Sequence, residues 1–256
     1  MIYDTHAHLD QLEDIAGALQ RAKEADVKGI VCPSMDLKSC QVNLNLKKNA
    51  AGPKIFIGFG MHPSEANAEE AQAIVALIRE NKDLLHAVGE IGLDYWYKDV
   101  RKNEEKKEAQ RVVFKTCLKV AQEHHLPVII HSRGAWSDCL KMTVAAGIKK
   151  AVFHWYSGPV DILEEILAAG YYVSASPSLA YSPPSQEAIK HAPIERTLIE
   201  TDSPVYYRNE ASGDGFRAEP KDVYRTLTAY SQLKSLTEDK AKDILNKNAE
   251  AFFSLL

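Results

Sequence analysis

Apolar and polar positions fall into alternating blocks along the chain, in which short β-branched runs give way to segments with helical spacing. The apolar runs are Ile2–Thr5, Gly29–Cys32, Ile55–Gly58, Ala87–Ile91, Val128–Ile130, Ala151–Phe153, Tyr172–Ala175 and Leu198–Glu200. Most are apolar at consecutive positions, the pattern of strands buried on both faces of a parallel sheet. Amphipathic segments at Ile15–Ala25, Glu69–Asn81, Lys106–His125, Asp161–Ala169 and Lys221–Leu233 lie between or after them, and Thr237–Phe253 closes the chain. Within the third of these, Val113, Cys117, Val120 and Ala121 recur at helical intervals.

Eight strand-then-helix units predict an α/β fold, a (β/α)8 TIM barrel. An open doubly wound sheet would usually carry a glycine-rich turn after its first strand, whereas the turn here is His6-Ala7-His8-Leu9-Asp10. The length of 256 residues suits one such barrel, and no shift in composition marks a second domain, so one domain over 1–256 is expected. Ser203–Pro220 reads as a long loop after the last strand, in the region where barrel active sites gather.

A hydrophobic content of 45 % is ample for a core of this size. The net charge of -4 argues against a broad basic surface gripping long duplex, so a nucleic-acid substrate would be engaged locally. The charged stretch Lys98 to Glu108 mixes signs and reads as a solvated helix start. Cys32, Cys40, Cys117 and Cys139 match neither a zinc ribbon nor a disulfide framework; buried thiols in a reducing compartment are expected. No secretory pattern and no apolar run of about 18 residues is present. A cytoplasmic protein without a membrane partner is the expectation, and no obligate protein partner is inferred.

In a barrel, chemistry is read from the residues at the strand ends. The first run ends in His6-Ala7-His8, where residues i and i+2 of an extended chain point the same way and can reach one ion. The fourth reaches Glu90, the fifth ends at His131, the sixth at His154 and the eighth at Asp202. Any one of these alone is as readily a satisfied polar residue. Six candidate ligands at one end of five strands instead point to a metal centre. They are too many for one tetrahedral zinc and suit two ions sharing a carboxylate. Four imidazoles with two carboxylates favour zinc, manganese, iron or nickel, with magnesium a weaker fit.

These residues lie in an ordered set of motifs: Asp4-Thr5-His6-Ala7-His8-Leu9-Asp10, Gly60-Met61-His62-Pro63, Gly89-Glu90-Ile91-Gly92-Leu93-Asp94, Pro127 to Arg133, Phe153 to Gly158, and Glu200-Thr201-Asp202-Ser203-Pro204. The set resembles the TatD-like hydrolases, metal-dependent deoxyribonucleases of the amidohydrolase group of barrels, from His6 to Phe253. The resemblance implies that His6, His8 and Asp202 hold one divalent ion, that His131 and His154 hold a second, and that Glu90 bridges them. It implies a water activated between the ions, with Asp202 as general base. Two positions depart from the family pattern: Trp155-Tyr156 stands where Cys-Phe is usual, and Ala218 where the last-loop motif carries Asn.

Around this centre, His62 and Arg133 are candidate substrate contacts, Arg133 as a bidentate phosphate clamp, each with a structural hydrogen bond or salt bridge as the alternative. Asp94 and Asp10 read as partners orienting ligand imidazoles. Tyr95, Trp96 and Tyr97, with Trp136 and Trp155, could stack bases or pack beneath loops. The expected activity is hydrolysis of DNA phosphodiesters, in single strands or at chain ends. Its rivals are deacylation of an ester such as a D-aminoacyl-tRNA, and a non-catalytic metal-binding scaffold.

Overall fold

The computed structural model describes residues 1–209 and 213–255. Eight strands form one parallel sheet in sequence order: β1 Ile2–Asp4, β2 Val27–Pro33, β3 Lys54–Phe59, β4 Leu85–Gly92, β5 Val128–His131, β6 Ala151–Phe153, β7 Tyr172–Ala175 and β8 Thr197–Ile199. The ends of the sheet meet where the Thr5 amide and hydroxyl both donate to the carbonyl of Ile199, at 3.1 and 2.9 Å. A parallel bridge between Ala7 and Ser203 continues the seam. The expected barrel is therefore the fold, and each strand lies on its predicted apolar run.

The helices are α1 Ile15–Glu24, α2 Leu37–Asn49, α3 Ala68–Asn81, α4 Glu104–Glu123, α5 Trp136–Ala145, α6 Val160–Ala168, α7 Pro183–His191, α8 Val223–Lys234 and α9 Glu238–Phe253. Most start where a side chain can take the orphan amides of the first turn. Asp14, Asp36, Asn67, Asn103 and Thr237 each accept from such an amide. The mixed-charge stretch from Lys98 enters a helix only at Glu104, after the Asn103 cap.

Three helices were not apparent in the apolar pattern. The face that α2 buries carries Ser39, Cys40 and Asn43, so it shows little hydrophobic periodicity. α5 buries only Cys139, Leu140 and Thr143 among the described residues, and α7 opens on Pro183-Pro184, which reads as loop although proline is well suited to a first turn. The stretch expected as a plain loop, Ser203–Pro220, also holds order: β9 Tyr206–Arg208 and β10 Gly215–Arg217 pair antiparallel. Positions 210–212 of that stretch lie outside the described residues.

Tyr3, Val31, Phe56, Ala87, Ile129, Val152, Tyr172 and Leu198, one from each barrel strand, gather into a single apolar cluster. Phe252 and Phe253 at the end of α9 join it and stop the N-terminal end of the barrel, with Phe252 edge-on to Tyr172 at 5.0 Å. The opposite end, beyond the C-termini of the strands, carries the imidazoles and carboxylates. All four cysteines are buried and free, as expected. No helix among the described residues is long and apolar enough to cross a membrane.

Candidate metal centre

The strand ends deliver their polar residues to one spot because the backbone continues in register beyond the sheet. The Ala7 amide bonds the Val31 carbonyl at 3.0 Å, which keeps His6 and His8 on an extended path with their rings on the same side. Asp202 is reached through a left-handed residue (φ 48°), a conformation that aspartate tolerates better than most. Its amide donates to the His6 carbonyl at 2.9 Å. Glycine permits the crowding opposite. At Gly92, φ is +146° and a Cβ would lie 1.9 Å from the His131 carbonyl oxygen, so only glycine lets β4 and β5 run this close.

Glu90 stands at the centre, 2 % exposed. Its Oε2 faces His6 Nε2 and His8 Nε2, each at 3.3 Å, and Asp202 Oδ1 lies 3.5 and 3.4 Å from the same two nitrogens. The two nitrogens are 3.1 Å apart. Its Oε1 faces His131 Nδ1 and His154 Nε2, both at 2.8 Å. His62 Nε2 joins this second group, 3.6 Å from Oε1 and 3.2 Å from His131 Nδ1. The six expected ligands are thus brought together, and His62, expected at the substrate, stands among the donors as well.

This geometry fits a cation. Neutral imidazole nitrogens and ionised carboxylate oxygens converging on one point are the lone-pair donors that a divalent ion takes. Donors arranged tetrahedrally at zinc bond lengths of about 2.0–2.2 Å would be roughly 3.3–3.6 Å apart, and the separations in the first group run from 3.1 to 3.5 Å. The electrostatics agree. Burial alone would lower the pKa of His8, but Asp202 and Glu90 raise it to about 10. Burial would likewise raise Glu90, yet the His154, His62 and His6 imidazoles hold it well below the usual carboxylate range. Each group calls for a positive partner, which a divalent ion supplies without protons. The donor set of imidazoles and carboxylates suits a transition-metal ion better than an all-oxygen magnesium or calcium cage.

Outer partners fix these ligands. His131 turns Nε2 to Asp94 Oδ2 at 2.8 Å, and the same oxygen accepts from Arg133 Nε at 2.9 Å. The expectation for Asp94 therefore holds. Among the described residues Asp10 makes no hydrogen bond to an imidazole; its Oδ1 is buried without a partner there, as are His6 Nδ1 and His8 Nδ1. Two carboxylates did not register as orienting groups in the sequence. Glu200 meets His154 Nδ1 at 3.2 Å and accepts from Ser174 at 2.6 Å. Asp4 accepts from the Thr201 amide and hydroxyl at 2.9 and 2.6 Å, tying the end of β1 to the end of β8. Their signal was an acidic residue inside an apolar strand end, a place where an unpaired charge is costly.

The donors open onto a cavity of about 530 Å³. Arg133 lines it, anchored through Nε on Asp94, with its guanidinium 4.9 Å from the Tyr97 ring centre. Trp136 and Trp155 also line it, whereas Trp96 is largely exposed elsewhere and Tyr95 takes a hydrogen bond from Arg111. Tyr156, at the departed position after Trp155, is core: it is buried and its hydroxyl donates to the Pro159 carbonyl. Ala218 is buried too, and its loop is held by the flanking residues, Arg217 on the Pro204 carbonyl and Glu219 in a two-pronged pair with Arg21.

The profile of the family described as TatD related DNase matches residues 3–254. The chain belongs to the TatD family of metal-dependent hydrolases. An uncharacterized metal-dependent hydrolase of Methanocaldococcus jannaschii is 29 % identical over 98 % of this chain and 96 % of its own length. A human protein named deoxyribonuclease TATDN3 is 27 % identical, covering 100 % of this chain and 95 % of its own. Among solved structures, a TatD homologue of Escherichia coli superposes with a TM-score of 0.89 at 24 % identity, over 100 % of this chain and 98 % of that one. A TatD family hydrolase of Entamoeba histolytica gives 0.84 at 23 % identity, over 98 % and 97 %.

Proposed function

We propose that this TatD-family hydrolase cleaves DNA phosphodiester bonds, in single strands or at chain ends, using two divalent ions bridged by Glu90. The observation that carries the reading is the division of labour at Glu90: each of its oxygens faces a separate set of donors. His6, His8 and Asp202 would hold one ion, and His131 and His154, with His62 beside them, the other. Bound there, such ions supply Lewis acidity to a phosphoryl oxygen and ease the deprotonation of water. The human relative's name, deoxyribonuclease, supports the choice of DNA.

The chain's own residues supply the rest. Asp202 meets the His6 and His8 imidazoles through Oδ1, at 3.5 and 3.4 Å. Burial raises the pKa of Asp202, but His8 and the neighbouring imidazoles outweigh this and bring it to about 2. It is therefore ionised and could accept a proton from a water held beside it. Arg133, fixed by Asp94 through Nε, has its terminal nitrogens available for a phosphate oxygen. Asp94 also holds the His131 ring through Nε2, leaving Nδ1 toward Glu90. Glu90 and Asp94 are buried, and the low local dielectric strengthens the interactions they make.

The test is cleavage of end-labelled single-stranded DNA by purified protein across magnesium, manganese and zinc, with Asp202→Asn as control. A metal-dependent ladder from one end, absent in the variant, is expected. Intact DNA with every metal, alongside hydrolysis of an aminoacyl ester, would overturn the phosphodiesterase reading.

A further inference from the structure

Outside the cavity, two flanks of the mouth differ in charge. Past Gln11 and Met35 lies a cleft lined by Asp10, Asp36 and Glu65, with one cation, Lys38, among the described residues that line it. The loop after β4, which runs beside Arg133, instead carries Lys98, Arg101 and Lys102. All three are exposed and form no ion pair among the described residues, and the acid between them, Asp99, is taken by Lys106. Such a cluster stands out in a chain of net charge -4.

The same loop holds an aromatic ring outside the cavity. Trp96 is 61 % exposed, so it does not pack beneath the loop. Yet it is firmly mounted. Its amide donates to Asp94 Oδ1 at 2.9 Å, and the other oxygen of Asp94 holds both His131 and Arg133. The Tyr95 amide donates to the Arg133 carbonyl at 3.0 Å, so the loop follows the β5 loop away from the metal donors. One edge of the indole rests on Gly134, where a Cβ would lie 3.6 Å from Trp96 Cε3. Beyond it the Val100 and Arg101 amides close a turn on the Tyr97 carbonyl, at 3.0 and 2.8 Å, and Val100 is buried. The unpaired cations therefore stand on an ordered turn.

Resting on the nuclease reading, we propose that the loop after β4 is an outer binding surface for the uncleaved part of a single strand. Trp96 stacks a base that lies outside the cavity, and Lys98, Arg101 and Lys102 meet the phosphates around it. Charge sets the direction. A strand leaving the mouth past Gln11 and Met35 would run into carboxylates, whereas one leaving past Arg133 meets cations. Asp94 joins the two parts, because the carboxylate that positions Arg133 also fixes Trp96. The surface touches no reacting atom. It therefore acts on the KM of strands long enough to reach it and leaves kcat alone.

The test uses metal-loaded protein and single-stranded oligonucleotides of graded length, from a dinucleotide to about 12 nucleotides. KM is expected to fall with length while kcat stays level. Trp96→Ala should raise KM for the longest strand about tenfold and leave its kcat unchanged, and Trp96→Phe should restore most of the affinity. Replacing Lys98, Arg101 and Lys102 together by Gln should reduce the slope of log KM against log salt by about 2, for the long strand only. Turnover of the dinucleotide, too short to reach the loop, should match wild type in every variant and so reports that each is folded. Wild-type KM for the long strand in Trp96→Ala, or an equal loss on the dinucleotide and the long strand, overturns the outer surface. Failure of the nuclease reading looks different: no strand of any length is cut with any metal, while the long strand still quenches an indole signal that Trp96→Phe removes. Neither cutting nor quenching overturns both.

Discussion

The two ends of the barrel bury histidines in opposite ways. At the N-terminal floor, His86 packs against Phe56 with Lys47 and Lys54 nearby, its Nδ1 has no partner, and burial followed by those lysines pushes its pKa down to about 4. At the C-terminal mouth, His8 is also opposed by burial, yet Asp202 and Glu90 lift it to about 10. Burial opposes the charged form of both side chains, and the results diverge because lysines stand near His86 and carboxylates near His8. The floor is closed by Phe252 and Phe253 around a complete apolar layer. The mouth crowds imidazoles and acids into contacts near 3 Å and bends the chain through positive φ at Trp155 and Asp202. One end is built for stability, the other for chemistry that a well-packed core would exclude.

Substitutions at the two ends should therefore separate activity from folding. The largest effect is expected from Asp202→Asn, which lowers kcat by about 10²–10⁴ while shifting the melting temperature by only about 3 °C or less. A variant of wild-type rate with its ions bound would remove Asp202 from the proton transfer. Phe252→Ala should behave in reverse, losing about 3–5 kcal/mol of stability in denaturant titration with kcat per folded molecule unchanged. A collapse of kcat there would show that the ends are coupled. Glu200→Gln should weaken binding of the ion beside His154 by about 10–100-fold in equilibrium dialysis, because the His154 ring loses its orienting carboxylate. Undisturbed affinity would reduce Glu200 to a packing group.

The smallest effect concerns pH. His86 in the unfolded chain takes up a proton near 6.5, but in the fold only near 4. Its contribution to stability is thus complete above about 6.5 and lost progressively as the pH falls towards 4. His86→Gln should flatten that slope by roughly 1–2 kcal/mol, a figure reduced because the ring is partly solvent-facing. An unchanged slope in urea titrations between those pH values would show that the floor histidine does not titrate as described.

Much of this contrast was legible in the chain. The strands declared themselves because both faces are buried, and His6, His8, Glu90, His131, His154 and Asp202 stood out by falling where apolar runs end. What escaped depends on pairing across the sequence. Glu200 orients His154 from a neighbouring loop, and Asp4 ties β1 to β8; neither relation leaves a local pattern. Asp10 showed the converse, an acid in a suggestive position that makes no hydrogen bond to an imidazole. Helix α2 hid because its buried face is largely polar, and the hairpin of β9 and β10 because its strands are mostly exposed and carry no apolar run.

The central claim is that Glu90 bridges two ions at the mouth, and anomalous diffraction from manganese-loaded crystals tests it most directly. The account predicts two peaks, one between Glu90 Oε2 and the His6, His8 and Asp202 donors, the other between Oε1 and His131 and His154. Both should vanish or weaken together in Glu90→Gln. A single peak, or one that persists unchanged in that variant, would contradict it.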